Sequence, residues 1–308
     1  MDYEPEMSKG TVERRSGRFT NAAAIIIAGI IIAAAIIYGG GNNLSQTMTQ
    51  KNIKAAGTFE EEVTPSSGVV LPVVWGNLGA KLISVGAIDP RKFQTLYEER
   101  GIFTDEYRKL LFGQNSGQLK ITKENAGYIL NLFWALGLSS KNPILDSGEM
   151  IDPRFGGAKN FASTGGFTLA KGDPMDHYSR HLFFNLTAEE QALVDKISRG
   201  IYRPCCNNST HFPDCNHGMA MLCLLELMAS QGASERDMWQ AALAVNSYWF
   251  PDTYLTIAAY MKNKGIDWKD VNPQEVLGAA YSSGSGFADI ASKITSPNGS
   301  PSGGGCSA

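Results

Sequence analysis

Residues 215–231 read CNHGMAMLCLLELMASQ, a long and almost wholly apolar stretch without proline. Such a segment predicts a helix buried on nearly every face, since a surface helix carries a polar stripe. A helix of this kind needs other elements packed around it, so it predicts a sizeable core. Its one acidic residue, Glu226, is expected to be buried with it. There it would hydrogen-bond to a neighbouring helix or serve as a ligand or proton relay beside Cys223.

Segments on both sides of this stretch repeat apolar residues at steps of three and four, which is the period of a helix. Leu71, Val74, Leu78 and Leu82 are the first example. The predicted helices run from 71 to near 86, from 89 to about 97, and over 104–112, 122–138, 187–201, 215–231, 234–248, 252–264, 273–281 and 287–294. Strand-like alternation is scarce, so we predict an all-α or nearly all-α domain.

The composition is that of an ordinary globular protein. The chain has 308 residues, of which 43% are hydrophobic and 19% charged, and this excludes wholesale disorder and a disulfide-rich miniprotein. Its length leaves room for one large or two small folded units. The net charge of -3 provides no broad cationic surface, so we expect no nucleic-acid partner.

Residues 21–38 read NAAAIIIAGIIIAAAIIY and carry no charge. At about 1.5 Å per helical residue this stretch covers about 27 Å, close to the roughly 30 Å of a bilayer core. A secretory signal peptide is the alternative, but its apolar region is usually only about 7–15 residues long. We therefore predict a single N-terminal transmembrane helix.

Basic residues are unevenly distributed around that stretch. Lys9, Arg14, Arg15 and Arg18 precede it, and Lys51 and Lys54 follow it. The excess predicts that residues 1–20 are cytoplasmic and that the body of the protein is extracytoplasmic. We further expect a flexible stalk at 39–68, the helical domain at 69–295 and a flexible tail at 296–308 that carries Cys306.

A concentration of cysteine and histidine is the strongest functional signal. All but one of these residues fall between 177 and 223: His177, His181, Cys205, Cys206, His211, Cys215, His217 and Cys223. Zinc and copper prefer sulfur and imidazole ligands. The sequence therefore predicts a soft-metal site, zinc or copper, with methionines near 219 favouring Cu(I).

The predicted site centres on a loop at 203–213 and the start of the helix at Cys215. We expect Asp214 to cap that helix, and a thiol in its first turn to be the most reactive sulfur. Cys215 and His217 would point about 160° apart in a full helical turn, so they share a metal only if this turn is not helical. The candidate ligands are Cys205, Cys206, Cys215, His211, His217, His177 and His181, the last two lying four residues apart at a predicted helix start.

Two alternatives use the same cysteines. In the first, Cys215 is an attacking thiolate in thiol-disulfide exchange, and Cys205 or Cys206 resolves the mixed disulfide with a thiol partner. In the second, disulfides staple the loop of a non-enzymatic binding module, with Cys223 as a small core residue. A Gly-rich stretch at 139–173 is expected to be a packed loop that covers a site, since structureless loops of this length are uncommon unless they are functional. A nucleotide site is not expected there, because the stretch lacks a phosphate-binding motif.

Overall fold

The computed structural model of the protein describes residues 59–294. Its helical segments largely follow the predicted ones. Their bounds are α1 Leu78–Val85, α2 Pro90–Glu98, α3 Asp105–Phe112, α4 Ala126–Ser139, α5 Pro143–Ser147, α6 Ala188–Gly200, α7 Asn216–Ser230, α8 Glu235–Trp249, α9 Pro251–Asn263, α10 Pro273–Val276, α11 Ala279–Ser282 and α12 Gly284–Lys293. Residues 59–63 are also helical.

A two-stranded antiparallel sheet corrects the prediction of an all-α domain. Strand β1 (Val69–Gly76) pairs with β2 (Asn115–Ile121), with Val69 opposite Ile121. In β1 the buried side chains alternate, at Leu71, Val73 and Trp75. The helix predicted from 71 is wrong over this stretch because β-branched residues favour a pleated, half-buried strand. The helix itself begins only at Leu78.

The core is built around the packing of α4 against α7. Both helices are buried along nearly their whole length. Gly137 in α4 makes this close approach possible, because a Cβ atom there would lie 2.3 Å from the Met219 carbonyl oxygen and 3.1 Å from Cβ of Cys223. The prediction that 215–231 forms a helix without a polar face is confirmed.

The membrane assignment is also corrected. The transmembrane helix predicted over 21–38 lies outside the described residues, as do the cytoplasmic segment, most of the stalk and the tail with Cys306. Among the helices between 59 and 294, none is long and apolar enough to cross a membrane. The single-pass anchor, and the extracytoplasmic location that rested on it, are therefore not supported.

The long segment between α5 and α6 consists of turns. It contains the 3₁₀ turns Glu149–Ile151, Pro153–Phe155, Ala158–Asn160 and Pro174–Asp176. Asp173 caps the last of these by accepting a hydrogen bond from the Met175 amide at 2.9 Å. No helix follows, since the chain turns through Ser179 with a φ of 49°. His177 and His181 therefore do not share a helical face.

Candidate metal centre

A loop between α6 and α7 carries the cysteines to the N-terminus of α7. Cys215 itself is the N-cap residue, with an extended backbone, and its Sγ accepts a hydrogen bond from the Gly218 amide at 3.3 Å. The expected cap, Asp214, turns instead towards Arg203 and Asn208. Cys215 precedes the first helical residue, Asn216, so the 160° separation from His217 that a full helical turn would impose does not apply.

Three thiols form what we call the sulfur cluster: Cys205, Cys206 and Cys215. The Sγ atoms of Cys205 and Cys215 lie 3.5 Å apart. Cys206, Cys215 and Asp214 also offer one ligand atom each within 4.8 Å of one another. The three cysteines of the sulfur cluster are free thiols, as is Cys223. The described part of the chain therefore contains no disulfide bond.

His217 completes one side of the cluster. One of its ring nitrogens lies within 4.8 Å of the sulfurs of Cys205 and Cys215. The ring packs against Phe250 and Trp249, with centroid distances of 4.4 and 5.7 Å. Its Nδ1 is buried and has no hydrogen-bond partner. Burying a polar atom without a hydrogen-bond partner costs free energy, so the unpartnered Nδ1 indicates that His217 binds a ligand.

Arg203 supplies a positive charge beneath the sulfurs and is completely buried. One terminal nitrogen, Nη2, donates to Asp214 at 3.0 Å and to Sγ of Cys215 at 3.4 Å. The other, Nη1, donates to the Asn208 carbonyl at 2.9 Å. Gly218 makes room for the guanidinium group, because a Cβ atom there would lie 2.6 Å from Nη2.

These contacts shift the pKa values of Cys205 and Cys215 in opposite directions. Hydrogen bonds with Cys205 and Cys206 hold the pKa of Cys215 well below its usual range, aided by the charge of Arg203 and opposed by burial. The hydrogen bonds with Cys206 and Cys215 raise the pKa of Cys205. Cys215 is thus the member of the cluster that loses its proton most readily. Burial lowers the pKa of His217 to about 4, so its imidazole is neutral near pH 7, the form that binds metals.

His211 lies in the same loop but faces a different part of the molecule. Its Nε2 is 2.9 Å from a carboxylate oxygen of Asp195, and its Nδ1 is 3.2 Å from one of Glu149. Arg199 also contacts Nε2, at 2.8 Å. These groups line a cavity of about 790 Å³ beside α5 and α6. Both ring nitrogens are therefore engaged away from the sulfur cluster.

His177 and His181 form a pair of their own. Nδ1 of His177 is 3.2 Å from Nε2 of His181, and Nε2 of His177 is 3.2 Å from the Lys171 carbonyl oxygen. Since a carbonyl only accepts, His177 donates from Nε2. Neither histidine belongs to a group of three ligand-type side chains within the described residues.

Cys205, Cys206, Cys215 and His217 thus lie close together and could hold a metal ion. Comparisons of the chain with protein-family models, with curated proteins and with solved structures gave no significant match. The chemistry of the site is therefore the only guide to function. Sequence reasoning missed Arg203, because one arginine in a polar loop gives no sign that it is buried.

Proposed function

We propose that this protein binds one zinc ion through Cys205, Cys206, Cys215 and His217. The environment of His217 carries the proposal: one of its ring nitrogens lies within 4.8 Å of two sulfurs, and its Nδ1 is buried without a hydrogen-bond partner. Three thiolates and one imidazole are a common donor set for structural zinc. The ion would tie the loop before α7 to the start of that helix and so fix the region around it.

The spacing of the sulfurs supports this proposal. Two thiolates at about 2.3 Å from a tetrahedral zinc ion lie about 3.8 Å apart, whereas a disulfide bond is about 2.05 Å long. The 3.5 Å between Cys205 and Cys215 is close to the first value and far from the second. Metal binding therefore requires only a small adjustment of these side chains.

The charges support it as well. A zinc ion with three thiolates and a neutral histidine carries one net negative charge, which would be costly to bury alone. The guanidinium group of Arg203, 3.4 Å from Sγ of Cys215, offsets that charge. Gly218 donates its amide to the same sulfur, a contact that orients a metal-bound thiolate.

Elemental analysis of the purified full chain tests the proposal. We expect about one zinc per chain, a loss of most of it in Cys215→Ala and in Cys205→Ser, and retention in the matched controls Cys223→Ala and His181→Ala. Cobalt substitution provides a second measurement, because a tetrahedral sulfur site gives strong visible absorption. A chain without metal, or equal metal in Cys215→Ala and His181→Ala, would overturn the proposal.

A second candidate is thiol-disulfide exchange, favoured by the lowered pKa of Cys215 beside Cys205. The Cys215 thiolate would attack a partner disulfide and release one partner thiolate. Cys205 would then attack the mixed disulfide, forming a Cys205–Cys215 bond and releasing the second partner thiol. It ranks second because Cys215 is only 8% exposed. Rapid reaction of the metal-free chain with a small disulfide at pH 6, lost in Cys215→Ala, would favour exchange.

A further inference from the structure

A second buried group lies far along α7 from the sulfur cluster, at Glu226. Its side chain is 1% exposed and accepts a hydrogen bond at Oε1 from the side-chain amide of Asn142. Its other oxygen, Oε2, is buried without any partner. A carboxyl oxygen in this position is costly whether the group is neutral or ionised.

Asn142 cannot turn to serve both oxygens. Its Oδ1 accepts from the Ile144 amide at 2.9 Å and from Nε2 of Gln191 at 3.2 Å. The amide orientation is therefore fixed, with its NH₂ group towards Oε1 of Glu226. Reorienting the Asn142 amide therefore cannot provide Oε2 of Glu226 with a hydrogen bond, because Asn142 would lose its own contacts with Ile144 and Gln191.

Glu226 lines a pocket of about 250 Å³, which we call the Glu226 pocket. The side chains around it are mostly apolar or uncharged: Lys141, Pro143, Leu182, Phe184, Asn185, Leu186, Thr187, Ala188 and Gln191. Leu182 is 72% exposed. The volume of the pocket is below the roughly 300 Å³ at which pockets for drug-sized ligands begin, so the pocket suits a smaller ligand.

The chemistry of the pocket narrows the ligand class. Only one carboxyl oxygen, Oε2, lacks a hydrogen-bond partner, which disfavours guanidinium and amide groups because they bind a carboxyl group through both oxygens. A ligand with a single donor group on an apolar body matches one unpartnered oxygen of Glu226 in a pocket that Pro143, Phe184 and Leu186 also line. Among such ligands, a cation also compensates a buried carboxylate, which a hydroxyl group does not.

We propose that the Glu226 pocket binds a primary ammonium group on a short aliphatic chain, with Oε2 of Glu226 as its acceptor. Two sources share this chemistry: a free small amine and a lysine side chain of a peptide. This site is independent of the proposed zinc site, since Glu226 belongs to neither of the groups in the described residues that could hold a metal.

Binding of n-butylammonium to the full chain, followed by calorimetry, tests the proposal. We expect binding by the natural chain, weaker binding of the neutral isostere 1-butanol, and a loss of about tenfold or more in Glu226→Gln, because a hydrogen bond to a charged group is removed. Glu99→Gln, an exposed glutamate, is the matched control and should bind as the natural chain does. N-acetyl-lysine methylamide, run in parallel, distinguishes the peptide source from the free amine.

A second variant and a second readout keep the test independent of folding. Ala188→Leu narrows the pocket at an exposed helix start without touching Glu226, and should weaken butylammonium and butanol alike. Burial raises the pKa of Glu226 to about 8, so binding near pH 7 should release a proton, detected in buffers of different ionisation enthalpy. The other titratable groups nearby, Lys141 and Cys223, remain in Glu226→Gln, which should release none. Undetectable butylammonium binding, or equal binding by Glu226→Gln, would overturn the proposal.

Discussion

Two fully buried ionisable groups, Arg203 and Glu226, differ in how completely the chain supplies them with hydrogen-bond partners. Arg203 has partners on both terminal nitrogens, namely the Asp214 carboxylate, the Cys215 sulfur and the backbone carbonyls of Asn208 and Phe212, and only its Nε is unpartnered. Glu226 has one partner, Asn142, for its two oxygens. The chain itself therefore satisfies most of the hydrogen-bonding groups of Arg203, whereas it leaves one oxygen of Glu226 without a partner.

Removal of the Arg203 charge should give the largest effect. Arg203→Met leaves the partly exposed Asp214 and the buried Cys215 sulfur without their cation, so we expect the free energy of unfolding to fall by about 3–5 kcal/mol. Arg199→Met is the matched control, since Arg199 pairs with Asp195 at the surface and should cost less than about 1 kcal/mol. Urea unfolding at neutral pH measures both. Similar losses in the two variants would show that the Arg203 charge is not compensated by the groups around it.

The burial of Glu226 should make the stability of the protein depend on pH. The pKa of Glu226 is raised to about 8 by burial, so the folded state holds this proton more tightly than the unfolded chain does. Its stabilising effect is therefore fully present below the unfolded pKa and is lost as pH rises through about 8. We expect the natural chain to lose roughly 3.5 kcal/mol of stability relative to Glu226→Gln between pH 5 and pH 8, a difference from which the opposite contribution of His217 cancels.

Urea titrations of the natural chain, Glu226→Gln and Glu99→Gln across this pH range measure that decrease. Glu99→Gln should keep the full slope, because the side chain is exposed. If Glu226→Gln retained the same slope, Glu226 would be compensated in the folded state and the contrast with Arg203 would disappear.

Packing between α4 and α7 should give the smallest effect of the three. Gly137→Ala places a methyl group against the Met219 carbonyl oxygen, and overpacking of this kind typically costs about 1–3 kcal/mol. Gly127→Ala in the same helix meets no atom within 4 Å and should stabilise the chain by about 0.5–1 kcal/mol. Thermal unfolding of both variants checks the sign. A stabilising Gly137→Ala would mean that the two helices are not tightly packed where they carry the buried groups.

The candidate site was predictable in part because cysteine and histidine are rare and their clustering is visible in the sequence. The structure brings four of the seven predicted ligands together, Cys205, Cys206, Cys215 and His217. The remaining three could not be separated from them by spacing alone. His211 follows Cys206 closely in the chain, but its ring contacts Asp195 and Glu149 because the loop passes between two sites.

The fold was predictable where one pattern dominates and ambiguous where two coincide. The apolar run in α7 fits only a buried helix. Leu71, Val74, Leu78 and Leu82 fit a helical period, yet the alternation of Leu71, Val73 and Trp75 in the same stretch fits a strand. The strand forms because β2 lies beside it, and β2 comes from more than 40 residues further along the chain.

The sequence by itself determined which chemistry is available, since it placed the thiols and imidazoles near one another and made α7 largely apolar, with Glu226 as its one acidic residue. Only the tertiary structure decided how that chemistry is arranged. It buried Arg203 under Cys215, turned His211 away from the sulfurs and left Oε2 of Glu226 without a partner. The physical reason is that burial and hydrogen-bond partners depend on segments distant in the chain, which local patterns do not encode.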